Sequence, residues 1–489
     1  MGKGSRWAVW IITLLAATLR LIGLGANSLW FDEAFSWLAA RQPMAVLLTQ
    51  RLEPFLPPLY HVLLHLWLRL GESEVALRSF SALCGLLSVP AIYCLGRELF
   101  TPQAGRAAAL LTAISPFHIY YAQEARPYAL VILLAALLLW AFVRAWKRDR
   151  IAAWALFGLL AALNFYAHYF VVFVLLALHA FILLAARRDR RRWRGPLLAD
   201  LIALLLVAPH LPAAWARTGE VVGHFWLAQP SPLQPFKTLV YLLFGHTVPF
   251  TLLPATLFLV LSTLALVIMG AVRARGDPRR RLLLLIGILL TPMLGILLVS
   301  WLSGPLYLDR SFSLVAPAYA LLLGWGLAHP PRGSPLRLLF GGLAIVAVAT
   351  LGNYYLTADP ARPPFRDAGQ TLVAQWQEGD VVLHLHDSSY LPLCYYAPQA
   401  EAFLLNNDPD AWLPPATWEW AGRRTTALQP VVTDRSRLWV VIMPLRLTDR
   451  QSDMLAQIES RFAQAGGWTW AAAEPVDLRL YVLDGGEAP

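Results

Sequence analysis

Hydrophobic residues along the chain gather in windows of about twenty, the length a helix needs to cross the hydrocarbon of a bilayer. These windows fall at 7–25, 78–97, 104–122, 127–146, 151–186 (long enough for two), 196–214, 251–272, 282–302, 311–328 and 336–356, with charged breaks between them. The pattern predicts a polytopic α-helical membrane protein with about eleven transmembrane helices. Two stretches depart from it. Within the first loop, 26–77, the run PPLYHVLLHLWLRLGE at 57–72 repeats His61, His65 and Arg69 every four residues among leucines, which predicts a helix lying at the membrane interface. From about Asp359 onward, charged and turn residues become as frequent as in soluble proteins, which predicts a domain boundary that leaves 1–357 in the membrane and 358–489 as a separate domain.

In that second domain GDVVLHLH (379–386), RLWVVIMP (437–444) and LRLYVLD (478–484) alternate as strands do. Helices are expected at 366–378 and 449–464, the latter opened by Thr448 with Gln451 three residues on, the pattern of a capping box. Strands alternating with helices predict a small α/β domain. It carries no glycine-rich phosphate loop, no GxSxG elbow and no CxxC. His384, His386 and Asp387 cluster near a strand end, which reads as a solvated sheet edge rather than a site.

Composition agrees with a membrane chain. Of 489 residues, 58% are hydrophobic and 14% charged, above the apolar content of a typical soluble domain. The formal charge of +10 sits in short runs between apolar windows, KRDR at 147–150, RRDRRRWR at 187–194, RARGDPRRR at 273–281 and RGSPLR at 332–337. Such runs form no basic face for nucleic acid and suit acidic lipid headgroups. They fall on one side, and because cytoplasmic loops are enriched in Lys and Arg, that side is expected to be cytoplasmic. The chain is then expected in the cytoplasmic (inner) membrane with its N-terminus in the cytoplasm, and the loops bearing Asp32, Glu33, Glu124 and Arg310 lie outside with the C-terminal domain. Lys3 and Arg6 ahead of an apolar run also fit a secretory signal, but the many spans that follow favour a retained first helix. Cys84, Cys94 and Cys394 are too scattered for a disulfide framework or a metal knuckle.

The candidate chemistry lies in the outer turns. SLWFDEAFSW at 28–37 sets Asp32 and Glu33 between Trp30, Phe31, Phe35 and Trp37, just after the first span. YYAQEARPYAL at 120–130 adds Glu124 and Arg126, GPLYLDRSF at 304–312 adds Asp309 and Arg310, and NFYAHYF at 164–170 adds Asn164, His168 and Tyr169. Acids and arginines from separate hairpins on one side fit a single water-filled cavity open to the outside. The plainer reading of the acids is a headgroup-level loop, and of Trp30 and Trp37 an interfacial aromatic belt. His61 and His65, four apart, have metal-ligand spacing but no third ligand in view, so a polar stripe is preferred.

Such a cavity suits transfer of a sugar from a lipid phosphate. The departing phosphate is a stable anion that needs cations, here Arg126 and Arg310, rather than a general acid. The acceptor hydroxyl is a poor nucleophile and needs a carboxylate base, for which Asp32 is the candidate.

LRLIGLGANSLWFDEAFS at 19–36, PPLYHVLLHLWLRLGESEVALRSFSALCGLLSVPAIYCLGRELF at 57–100 and SPFHIYYAQEARPYAL at 115–130 resemble the GT-C fold glycosyltransferases, specifically the bacterial family 39 group related to protein O-mannosyltransferases and to the aminoarabinose transferase of lipid A. The resemblance is close over the first third of the chain and carried elsewhere by span number and layout. It implies a GT-C fold and an inverting hexosyl- or pentosyltransferase that uses a polyprenyl-phosphate-linked sugar donor and an acceptor lipid, glycan or protein. It further implies Asp32 as catalytic base with Glu33 as companion, and Arg126 and Arg310 as donor-phosphate contacts. Relatives often carry a Leu-Asp after the arginine, where this chain has Leu130 and Val131, leaving Glu124 as the stand-in acid. Substrate contacts are further expected from His168, Tyr169, His61, Tyr60 and Trp30. No ligand cluster demands a metal, and a divalent cation, Mg or Mn, stays open because relatives differ. Two rivals remain, an O-antigen ligase or polymerase that transfers a whole glycan, and a lipid or solute transporter without enzymatic activity. A transporter predicts broken spans or internal repeats near the midplane, and the sequence shows neither there.

Overall fold

The computed structural model describes residues 3–49, 57–187, 189–215, 227–330, 333–356, 362–405, 423–425 and 427–482. Residues 50–56 of the first loop and 483–484 of the last predicted strand lie outside them. The chain divides into two compact units, one of 1–24, 55–63 and 78–356, the other of 25–54, 64–77 and 357–489.

The first unit is helical, and its helices follow the hydrophobic windows. Lys3–Leu21, Glu74–Leu99, Tyr128–Arg148, Ile151–Ala167, Val171–Ala186, Arg194–Val207, Leu253–Arg273, Asp277–Ser303, Ala316–Ala328 and Leu336–Leu356 each fall on a predicted span. Among the described residues, seven helical segments are long and apolar enough to cross a membrane, and three shorter apolar helices accompany them. One window is broken. Residues 104–122 form two helices, Pro102–Ile114 and Pro116–Ala122, parted at Ser115. A residue before proline is driven out of the helical region, and Ser115 sits extended with ψ 122°. Its Oγ accepts from the His118 N–H, capping the second helix, and donates to the Leu243 carbonyl at 2.6 Å. Interfacial helix 57–72 is shorter than expected, an α-helix over Leu59–Trp67 followed by a 3-10 turn over Leu68–Leu70.

Small residues let the helices approach closely. A Cβ on Gly105 would stand 2.7 Å from the Tyr93 carbonyl, and one on Gly324 would stand 2.6 Å from the Ala108 amide, so Pro102–Ile114 touches two neighbours backbone to backbone. The basic runs gather at one end of this bundle. Lys147 pairs with Glu98 at 3.6 Å, Arg281 donates to the Leu99 carbonyl at 2.7 Å, and the Arg192 guanidinium lies 5.3 Å from the Trp146 ring centre.

Polar side chains tie the opposite helix ends together. Buried Arg20 donates to the Ala113 and Thr112 carbonyls at 3.1 and 3.0 Å, at the C-terminal end of Pro102–Ile114, where carbonyls lack helical donors. Gln123 returns the arrangement, its Nε2 donating to the carbonyls of Arg20 (3.0 Å) and Ile22 (2.7 Å), while Tyr354 donates to its Oε1 at 2.5 Å.

The second unit holds a six-stranded sheet in the order β3-β2-β1-β4-β6-β5. Its strands are β1 (Val381–His384), β2 (Ala402–Leu405), β3 (Arg423–Thr425), β4 (Arg437–Ile442), β5 (Ala463–Trp470) and β6 (Val476–Val482). Strands β3, β2, β1 and β4 are parallel and β6 and β5 antiparallel. Alternate residues face two cores, Leu383, Leu438 and Val440 on one side, Val382, Trp439 and Val441 on the other. Helices Phe365–Gln375 and Asp449–Arg461 match the expected pair, and Thr448 and Gln451 close the capping box in both directions. The sheet-edge reading of His384 is corrected. β1 pairs with β2 and β4, so His384 is buried mid-sheet, its Nδ1 3.0 Å from the Ser389 Oγ. His386 instead caps the helix Asp387–Tyr396, its Nδ1 accepting from the Ser388 N–H at 3.1 Å.

Burial pushes the His384 pKa down to about 3. The unfolded imidazole titrates near 6.5, so between about 6.5 and 3 the unfolded chain takes a proton the fold refuses, and stability falls as pH falls through that window. Hydrogen exchange of 379–386, corrected for intrinsic rates, is expected to lose protection from pH 6.5 to 4, and His384→Asn to flatten the slope. An unchanged slope in that variant would assign the effect to another group.

Candidate functional site

The sequence candidates divide between the two units. Asp32, Glu33 and Trp30 belong to the second. Helix Phe31–Ala40 begins at Trp30, whose extended backbone (φ −97°, ψ 178°) presents its carbonyl to the Glu33 and Ala34 amides at 3.1 and 3.0 Å. Both acids therefore occupy the first helical turn, the positive end of the helix dipole. Most of the segment is buried. Asp32 is buried and Glu33 is 0% exposed.

Glu33 is answered by Arg362, whose guanidinium approaches it at 3.7 Å with a side chain 2% exposed. A buried carboxylate without a counter-charge is costly, so this pair accounts for Glu33 as a structural anion held against the start of the C-terminal segment. Around it, Arg366 reads several groups at once. It bonds both carboxylate oxygens of Glu74, the carbonyls of Gly25 (2.7 Å) and Asn27 (3.1 Å), and through its amide the Ser28 Oγ at 3.1 Å. Burial opposes its charge, but the Glu74 carboxylate outweighs burial and raises its pKa. Trp37 donates to Glu72 at 2.8 Å and meets the Tyr395 ring edge-on at 5.1 Å. Trp37 is thus buried within the second unit.

The first unit holds the remaining candidates. Glu124 and Arg126 sit buried in the turn between Pro116–Ala122 and Tyr128–Arg148. Proline 127 leads the second helix, and the Arg126 amide bonds the Glu124 carbonyl at 2.8 Å, tightening the turn. Tyr60 and Arg126 are linked through Ser81, whose Oγ lies 3.0 Å from the Tyr60 hydroxyl and donates to the Arg126 carbonyl at 3.2 Å. Arg310 lies 5.7 Å from the Tyr128 ring centre. Glu124 and Arg310 are both within electrostatic reach of Tyr121 and Tyr241, whose hydroxyls bond each other. The neighbouring Asp309 accepts from Thr238 at 2.5 Å and from Gln234 at 3.1 Å. Acid, arginine and phenols thus form one polar cluster within the unit.

His61 is buried beside the Tyr60 ring instead of lying in an exposed interfacial stripe. His65, of the second unit, has its Nδ1 2.8 Å from the Ala40 carbonyl. Among the described residues no group of three His, Cys, Asp or Glu side chains could hold a metal ion. Tyr169 bonds His210 at 2.9 Å. His168 accepts from the Phe170 amide on Nδ1 at 3.3 Å, which leaves its proton on Nε2, a buried donor with no hydrogen-bond partner among the described residues.

Sequence reasoning missed Arg362, Tyr121 and Tyr241, and also the pair His179 and Asp200, 3.0 Å apart on two apolar helices. An acid inside an apolar window is itself the signal that could have found the last.

Residues 56–213 match the family model described as dolichyl-phosphate-mannose-protein mannosyltransferase. No curated protein matches the sequence. Among solved structures, ArnT from Cupriavidus metallidurans in the apo state aligns at TM-score 0.65 and 14% identity, over 97% of this chain and 98% of that one. The same protein bound to undecaprenyl phosphate aligns at 0.65 and 14%, over 98% of each chain. The Archaeoglobus fulgidus oligosaccharyltransferase in its apo form aligns at 0.53 and 12%, over 95% of this chain and 73% of that one. With its apolar helices, the likeness makes this a multi-pass membrane protein with a GT-C glycosyltransferase fold and a small C-terminal sheet domain.

Removing Arg362 takes away the counter-charge that stands 3.7 Å from buried Glu33. Arg362→Ala is expected to cost about 3–5 kcal/mol, while a Glu33→Gln, Arg362→Met double variant recovers most of it. Thermal unfolding of the two singles and the double gives the coupling, and a neutral Arg362→Ala would remove the pair from the structural account.

Proposed function

We propose, on the premise of a GT-C membrane glycosyltransferase fold, that this chain moves a sugar from a polyprenyl phosphate carrier to an acceptor hydroxyl at the outer face of the cytoplasmic membrane. The observation that carries this reading is the burial of Glu124 and Arg126 in a turn between two apolar helices. A guanidinium kept in such surroundings is suited to an anion brought by a lipid, and ArnT, the fold's full-length likeness, has been solved with undecaprenyl phosphate.

In this reading the acceptor oxygen attacks the anomeric carbon as its proton passes to the Asp32 carboxylate. The carbon–oxygen bond to the phosphate breaks on the opposite side, and polyprenyl phosphate leaves with the bonding electrons. One direct displacement inverts the anomeric centre. Arg126 and Arg310 meet the charge that grows on the departing phosphate, and the Tyr128 ring under Arg310 limits where its guanidinium can swing. Asp32 stands in the first turn of helix Phe31–Ala40. Glu33, being matched by Arg362, acts by fixing that turn and not as a second base. Glu124 orients the Tyr121 and Tyr241 pair beside Arg310, and His168 Nε2 offers a donor to substrate. With two arginines supplying positive charge, the reaction needs no divalent cation.

The test is transfer by the purified chain in vesicles, offered undecaprenyl-phosphate-linked mannose and aminoarabinose. Asp32→Asn is expected to lower turnover by about a hundredfold or more while undecaprenyl phosphate still binds. Arg126→Ala and Arg310→Ala should instead weaken carrier binding by about tenfold each. Treatment with EDTA should leave transfer intact. Full turnover by Asp32→Asn would sink the assignment of the base.

A further inference from the structure

At the basic end of the helical unit, a cavity of about 480 Å³ opens between helices Val171–Ala186 and Asp277–Ser303. We propose that it binds one anionic phospholipid, with the phosphate between Arg187 and Arg280 and the upper acyl chains along Ala177, Ala180 and Gly287. Its volume falls within the roughly 300–1,000 Å³ of small-molecule sites.

The two helices explain why a groove exists there. Near their other end they touch, since a Cβ on Gly295 would stand 2.5 Å from the Phe173 ring. Toward the basic end a Cβ on Gly287 would meet nothing within 4 Å, so the missing side chain leaves space that no neighbour uses. Alanines line the facing helix, and Leu184 and Leu283 at the rim are exposed apolar side chains, 74% and 46%. The walls therefore suit hydrocarbon.

The mouth is cationic and unsatisfied. Of the arginines nearby, Arg192 pairs with Asp189, and Arg281 with Asp277 and the Leu99 carbonyl. The guanidinium groups of Arg187 and Arg280 make no ion pair or hydrogen bond among the described residues, yet both line this cavity. Two unpaired guanidinium groups above an apolar trough at a membrane surface are complementary to a lipid whose headgroup carries net negative charge. A zwitterionic lipid would bring its own cation to the same place.

Native mass spectrometry of the full chain in neutral detergent tests this, with equimolar phosphatidylglycerol and phosphatidylcholine of matched acyl chains. Wild type is expected to retain phosphatidylglycerol in preference by about tenfold. The double variant Arg187→Ala, Arg280→Ala should lose the preference, and Gly287→Leu, which fills open space without a clash, should lower both adducts. Arg273→Ala, at the same end but outside the cavity, should behave as wild type. Equal adducts in wild type, a preference that survives the double variant, or displacement of the lipid by millimolar inorganic phosphate would each overturn the proposal.

Discussion

A charged or amide side chain buried among apolar helices has to find its partners within the chain, and that constraint decides which segments of this protein meet. Arg20 and Gln123 answer it reciprocally, each satisfying carbonyls at the C-terminal end of the other's helical neighbourhood. Their bonds fix the turn that carries Glu124 and Arg126. Glu33 answers it through Arg362, and Glu74 through Arg366, so opposite charges help hold the first loop to the start of the C-terminal segment. A partner lost from such a set leaves a stranded charge, which costs more than the pair contributes.

The candidate chemistry is accordingly set by helix termini. Ser115 and Pro116 end one helix and start another, Pro127 starts the next, and Glu124 and Arg126 occupy the few residues between. Short turns between rigid helices hold side chains with little freedom, which suits the proposed contacts to a phosphate. The tyrosines around Arg310 extend the same logic, giving a guanidinium an aromatic face instead of water.

Much of this was legible in the sequence because it depends on local period and length. Twenty apolar residues read as a span whatever surrounds them, and Thr448 with Gln451 reads as a cap because the bonds close within one turn. The break in 104–122 was also written there, in the Ser-Pro step, but a hydropathy window averages over it. Strands β2, β3 and β5 were not legible. Two are only three or four residues long, and β5 carries Gly466 and Gly467 with an irregular register, which reads as a turn. His384 was misplaced because an edge and a centre strand differ only in their neighbours, which come from distant sequence. Arg362 as the partner of Glu33 was hidden for the same reason, while Asp32, Arg126 and Arg310 could be singled out as candidates because charges are conspicuous beside apolar runs.

The Arg366 junction gathers Gly25, Asn27, Ser28 and Glu74, all made early, around a residue made late. At usual synthesis speeds, roughly tens of seconds separate the emergence of Glu33 from that of Arg362. Throughout that interval the apolar spans between them emerge while Glu33 still lacks Arg362. The protein's own order of manufacture therefore keeps the loop that bears Asp32 unfinished until the membrane part is in place, so that an incompletely inserted chain carries its acids without the setting that buries them.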